Sequence, residues 1–254
     1  MNAPRVGFVI GGAQKAGTSA LAAYLARHPG IALPRGKEAH VFDAPDFDEA
    51  ADAGVIDARY AAHFDAQTPG VLHGDATPIY MLHPRFIARI HRYNPAMRWI
   101  LLLRHPVDRA LSQYHMERAR GDETLPLWLA LALERWRLHG HADDFAPDSP
   151  LRRHSYRLRG DYARQLDALH ARFPPAQVLV VRQESLADAP EATLARCLAF
   201  LGLAAHVGDS DYPRVHAGDY RPWPPGDWRR RAVAWWWRRD LHAQQRHGLD
   251  WGPA

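Results

Sequence analysis

The chain has 254 residues, 47% hydrophobic and 24% charged, with a net charge of +4. That composition excludes a disordered chain and gives enough length for an α/β domain with a sizeable core. The mild basicity suits an anionic ligand, but no basic tract carries the spacing of a nucleic-acid-binding motif, so no nucleic-acid partner is expected.

A single cysteine, Cys197, leaves no internal disulfide and points to a reducing compartment. Near the middle, the longest aliphatic run, Ile100 to Leu103, is far too short to span a bilayer. The N-terminus enters an apolar strand without the regions of a signal peptide. A cytoplasmic protein with no transmembrane segment is expected. The 16 histidines are scattered with no metal-ligand spacing, so no metal is expected.

In chain order, Val6 to Ile10 is a short β-rich run, as a buried parallel strand requires. Gly11, Gly12 and Gly17 then permit a sharp turn and close approach to a ligand. Thr18 or Ser19 is placed to cap a helix over Ala20 to Arg27. Strand, glycine loop and helix together aim backbone amides and a helix dipole at one spot, an anion site. In a Walker A loop the lysine follows the last glycine; here Lys15 precedes Gly17. A glycine-rich turn with a solvated lysine is the plainer alternative for this stretch taken alone. Against it, only Lys15 and Lys37 among the 32 basic residues are lysines. A compact ammonium is kept at two loops while arginine serves elsewhere.

His28-Pro29-Gly30 stops the first helix, and Ile31 to Leu33 reads as a strand. Lys37-Glu38-Ala39-His40-Val41-Phe42-Asp43 then clusters four charged or titratable groups. Residues 44–72 read as irregular with a helix near Ile56–Phe64. Pro84 to Tyr93 is a helix. Trp99 to Leu103 is the strongest second strand, ending in Arg104-His105-Pro106, with a helix from Pro106 to Arg118. Polar groups at a strand's carboxyl end mark the crevice where open α/β sheets bind ligands. Further helices are expected at 125–139, from Gly160 to about Arg172, at Pro190 to Leu201 closed by Gly202, and from Trp228 to His247. Val178 to Val181 is another strand, and 140–154 a loop. Alternating helices and strands give an α/β fold with a mainly parallel sheet, expected as one domain over residues 1–254.

Three stretches together resemble the PAPS-dependent sulfotransferase family, nearest its heparan-sulfate branch and bacterial relatives. Gly12-Ala13-Gln14-Lys15-Ala16-Gly17-Thr18-Ser19 looks like the 5′-phosphosulfate loop. Lys37 to Asp43 is similar to the family's Lys-Glu-x-His-Phe-Phe-Asp segment. Leu103-Arg104-His105-Pro106 through Ser112-Gln113-Tyr114 looks like the 3′-phosphate segment. Gly160-x-Tyr162, Phe200-Leu201-Gly202-Leu203 and Leu249-Asp250-Trp251 also match.

The resemblance implies a P-loop-like three-layer fold, a central mainly parallel sheet flanked by helices. It implies sulfuryl transfer from PAPS, with PAP as product, to an acceptor hydroxyl. Lys15 would stabilise the leaving phosphate, and Gln14, Ala16, Gly17, Thr18 and Ser19 would complete the 5′ site. Arg104 and Ser112 would hold the 3′-phosphate. Glu38 would be the general base, with His40 orienting the acceptor or sharing its proton. Lys37 and Asp43 would bind the acceptor or hold Glu38.

Two departures stand out. The segment Gly74-Asp75-Ala76-Thr77-Pro78 has Ala76 where the heparan-sulfate enzymes carry a lysine. In the late nucleotide-covering loop only Gly218 matches the family's Lys-Gly-Arg, with Arg214 or Arg221 as substitutes. The acceptor is a small molecule or a glycan. A carbohydrate, a tyrosine or phenol, and a lipid alcohol all remain open, as does a homodimer or membrane-surface role for the Trp/Arg-rich tail. The competing reading is a P-loop kinase or NTPase. It is disfavoured by the lysine position and by Arg104, which stands where an acid would hold Mg²⁺. A nucleotide-binding module without catalysis is a third, against which intact Lys15, Glu38 and Arg104 argue.

Overall fold

A computed structural model describes residues 5–65, 70–205, 212, 220–224 and 226–252. The chain begins with β1 (Val6–Gly12), α1 (Thr18–Leu25), β2 (Ile31–Ala32), α2 (Ala53–Ala61), β3 (Leu72–Asp75), α3 (Pro84–Tyr93) and β4 (Arg98–Leu103). There follow α4 (Pro106–Arg120), α5 (Leu127–Arg137), α6 (Pro150–Arg153) and α7 (Tyr162–His170). The last elements are β5 (Val178–Arg182), α8 (Gln183–Asp188), α9 (Pro190–Leu201), α10 (Trp228–Trp236) and α11 (Arg238–Gln244). Two compact units result, Met1–Leu103 with Ala168–His216, and Arg104–Asp167 with Ala217–Ala254.

In the first unit the five strands form one parallel sheet in the order β2-β3-β1-β4-β5. The continuous apolar runs of β1 and β4 follow from cover on both faces. Phe8, Ile10, Ile100 and Leu102 pack on one face with Leu21, Leu25, Cys197 and Leu198 of α1 and α9. Trp99, one residue out of phase, meets Phe173, which in turn touches His91 of α3. The chain passes from β3 on one side of β1 to β4 on the other. β1 is therefore the point where strand order reverses, and its carboxyl end is the expected ligand crevice.

The second unit is helical. Val107, Ala110, Leu111 and Tyr114 of α4, Ala130 and Leu131 of α5, and Val233 and Ala234 of α10 share one core with Tyr156 and Trp237. Buried carboxylates hold it together. Glu134 accepts the amides of Arg157 and Leu158 at 2.6 and 2.9 Å, and Glu123 accepts Arg137 and the Tyr156 hydroxyl, both at 2.7 Å.

Several elements depart from the sequence expectation. The helix expected over Trp228–His247 breaks at Trp237, whose buried indole fills the core. A short helix, α6, occupies part of the expected 140–154 loop, capped by Ser149 on Arg152 N. β3, paired in parallel with β1 and β2, and the short helix α8 carry no periodic signal in the sequence. Neither Thr18 nor Ser19 caps α1. Gly17 takes the N-cap position at φ 93°, with no side-chain cap bond. Gly11 and Gly12 lie inside β1, where a Cβ would meet the Trp99 ring at 2.4 Å and Met81 Sδ at 1.8 Å. These two glycines make room for packing; Gly17 alone of the three has the left-handed backbone.

Candidate active site

The loop after β1 turns as the anion-site reading requires. Lys15 has φ 70° and Gly17 φ 93°. Ala13 N donates to Leu102 O at 2.7 Å, which pins the loop to β4. The Ala16 amide donates to Ala13 O at 3.1 Å and so is engaged within the loop. The first α1 amides to close on the chain are those of Ala20 and Leu21, both on Gly17 O. The amides of Gly17, Thr18 and Ser19 precede that closure, at the positive end of the helix. The first turn of α1 carries no acidic residue. Gln14 Oε1 is buried without a hydrogen-bond partner among the described residues. Amides ahead of the first helical closure, a lysine, a first turn without acidic residues and an orphaned polar atom suit an anionic ligand group.

The second cluster folds into an ionic chain. Lys37 Nζ lies 2.5 Å from Glu38 Oε1, His40 Nε2 lies 3.3 Å from Glu38 Oε2, and His40 Nδ1 lies 2.9 Å from Asp43 Oδ2. Lys37 and His40 both have left-handed backbone, φ 70° and 53°. Non-glycine residues in this region cost free energy that the surrounding contacts must offset, a pattern concentrated at functional sites. Burial pushes the Glu38 carboxyl up, but the His40 hydrogen bond and the Lys37 ammonium outweigh it and hold the group below its ordinary value. Burial would lower His40, yet the hydrogen bonds to Asp43 and Glu38 raise it to about 9. At neutral pH Glu38 is thus a carboxylate between two cations.

What holds this loop in place is Asp75, at the end of β3. Its fully buried carboxylate accepts the Tyr80 hydroxyl at 2.6 Å, Thr77 at 2.7 Å, Tyr60 at 2.9 Å and the Ala39 amide at 3.2 Å. Tyr80 in turn accepts the Val41 amide at 3.1 Å. Phe42 packs among the rings of Tyr80, Tyr93, Tyr60 and Phe47, 5.5–6.0 Å between centroids. Arg89 binds Phe42 O at 2.6 Å. Burial pushes Asp75 up, against the hydroxyl and amide donors that favour its charge. The resemblance drew attention to Gly74–Pro78 only for the missing lysine. The anchoring role of Asp75, Tyr60 and Tyr80 had no signal in spacing, because it joins Asp75 to Tyr60 and Ala39, and Tyr80 to Val41, across 15 to 39 residues.

In the second unit, Arg104 follows β4 directly. Its carbonyl accepts the Tyr162 hydroxyl at 2.9 Å. Trp251 packs on both Tyr162 and His105, each 5.9 Å between rings. Gly160 sits against Pro106, where a Cβ would come within 3.0 Å. The outlying motif residues Tyr162 and Trp251 thus brace the start of α4. His105 caps that helix on Val107 N at 3.2 Å, and burial together with the Arg230 and Arg104 charges lowers it to about 4, so it stays neutral. Ser112 is buried on α4, and Arg221 is exposed. Gly218 and Arg214 lie outside the described residues.

The model of the sulfotransferase family matches residues 7–206. The mouse protein named heparan sulfate glucosamine 3-O-sulfotransferase 6 is 31% identical over 204 residues, 80% of this chain and 54% of that one. The human 3-O-sulfotransferase 3B1 is 28% identical over the same share of this chain and 48% of its own. The chain spans about half the length of these curated relatives. A sulfotransferase from Alicyclobacillus acidocaldarius superposes with a TM-score of 0.74 at 30% identity, covering 95% of each chain. A parallel sheet flanked by helices, a family model matching most of the chain and this structural likeness agree: the chain belongs to the sulfotransferase family.

Proposed function

We propose that the chain moves the sulfuryl group of PAPS onto an acceptor hydroxyl, with a carbohydrate as the acceptor class. The carbohydrate reading rests on the heparan sulfate named in the relatives. The observation that carries the chemistry is the ionic chain Lys37–Glu38–His40–Asp43, held by Asp75 on the same sheet edge as Lys15.

When bound, PAPS supplies the sulfuryl group and a phosphate leaving group. Gly17, Thr18 and Ser19 would offer their amides to the 5′-phosphate, beside Gln14 and Ala16, and the Lys15 ammonium would stabilise negative charge on the leaving phosphate. Arg104 and Ser112 would hold the 3′-phosphate, and Arg221 would take the nucleotide's outer side. Glu38 is already ionised at pH 7 and would take the proton of the acceptor hydroxyl. His40, cationic and fixed by Asp43, orients the carboxylate. Positioning and electrostatics supply most of the rate.

Calorimetry tests the donor. Binding of PAP in the presence of a chelator, with no binding of ATP and Mg²⁺, supports the proposal, and the opposite pattern overturns it. Labelled PAPS offered with oligosaccharides, phenols and lipid alcohols tests the acceptor; label on phenols alone would refute the carbohydrate reading.

A further inference from the structure

Among the described residues, every large apolar side chain exposed to solvent except Val55 lies on α5 or α10. On α5 the inner side is Ala130, Leu131 and Glu134, all buried. Leu129, Leu133 and Trp136, spaced i, i+4, i+7, form a stripe on the opposite side, with Trp136 76% exposed. On α10 Val233 and Ala234 face inward, whereas Trp228 and Trp235 stand outward with Arg231 between them. The two helices pack on the same core and meet through Trp128, whose ring stacks on Trp228 at 6.5 Å and on Trp223 at 6.2 Å. A surface helix apolar on both sides leaves one side without an apolar partner.

The charge beside this face says what covers it. A cavity of about 690 Å³ opens next to Trp235, lined by Arg231, Arg238, Arg239 and His242 with the indole of Trp251, and Asp250 is its one carboxylate. No ion pair joins Arg231 or Arg239 to a carboxylate among the described residues, and Arg238 stacks over Trp235 at 4.4 Å. A second copy of the chain would set these arginines against themselves. Exposed indoles beside unpaired arginines instead match a lipid–water interface with anionic headgroups, where indoles settle at headgroup depth and arginines meet phosphate. No helix among the described residues is long and apolar enough to cross a membrane, so the contact is with the surface.

We propose that the outer faces of α5 and α10 dock the protein on an anionic membrane surface, the arginine-lined cavity receiving lipid headgroup phosphates. The test is sedimentation of the full chain with vesicles of phosphatidylcholine alone or with phosphatidylglycerol added. Binding is expected only with the anionic lipid, and is expected to fall with rising salt. The triple variant Leu129→Ser, Leu133→Ser, Trp136→Ser and the double variant Arg231→Glu, Arg239→Glu should each weaken it by about tenfold or more. All five positions are exposed, so unchanged circular dichroism and Tm confirm that both variants fold. Absence of binding to anionic vesicles overturns the proposal, as does binding that the triple variant leaves intact. A halved mass of the triple variant in light scattering also overturns it, because the face would then cover a second copy.

Discussion

Replacing Asp75 by Asn tests whether this carboxylate holds the Glu38 loop. Asp75 Oδ2 accepts the Tyr60 and Tyr80 hydroxyls at 2.9 and 2.6 Å, and Oδ1 accepts Thr77 and the Ala39 amide at 2.7 and 3.2 Å. An amide keeps only one acceptor oxygen, so two bonds to a charged group, about 1.5–3 kcal/mol each, are replaced by contacts in which hydroxyls must turn and accept. That turning recovers part of the loss, and the variant also sheds the cost of burying a charge. The net destabilisation is about 2 kcal/mol, which lowers Tm by roughly 4–8 °C in a chain of this size. The remaining oxygen still serves the Ala39 amide, but Tyr80 must turn and the bond it accepts from the Val41 amide is disturbed, so Glu38 and His40 shift. A displacement near 1 Å costs about a hundredfold in turnover. Thermal denaturation, PAP calorimetry and a sulfuryl-transfer assay should show lower Tm, lower kcat and unchanged PAP affinity. A lower Tm with full kcat would refute the positioning role, and an unchanged Tm would refute the hydrogen-bond account itself.

Glu38→Gln should reduce turnover by about 10²–10⁴-fold with PAP affinity intact, the usual worth of a general base; retained turnover assigns the base elsewhere. His40 has a folded value near 9 against an ordinary 6.5, so its stabilising contribution is complete below about pH 6.5 and lost as pH rises through about 9. The Tm difference between the parent and His40→Asn should therefore shrink across that window, and a difference that grows would contradict the ionic chain. Gly12→Ala should destabilise by about 1–3 kcal/mol in urea unfolding, because the new Cβ collides with Met81. Met81→Ala in the same chain should recover part of this loss, and failure to do so would place the strain elsewhere.

The sequence by itself determined whatever depends on neighbouring residues. Pro84 to Tyr93 and Pro190 to Leu201 run as expected, because proline opens each helix and, in the second, Gly202 at φ 74° closes it. β1, β4 and β5 were legible as apolar runs, since a parallel sheet buries both faces. Arg104 stood out because a charge at a strand end needs a ligand or a partner, Lys15 because it is one of two lysines and lies in a glycine loop, and Glu38 through its charged cluster and the family resemblance. Only the tertiary structure decided how those groups are held. Asp75 gathers donors from Ala39, Tyr60, Thr77 and Tyr80, and no local pattern encodes an acceptor whose donors lie up to 36 residues away. Gly11 and Gly12 looked like turn glycines, yet Trp99 and Met81 occupy the space their side chains would fill. Trp237 interrupts a helix that its neighbours would continue, because burying its indole in the core outweighs local propensity.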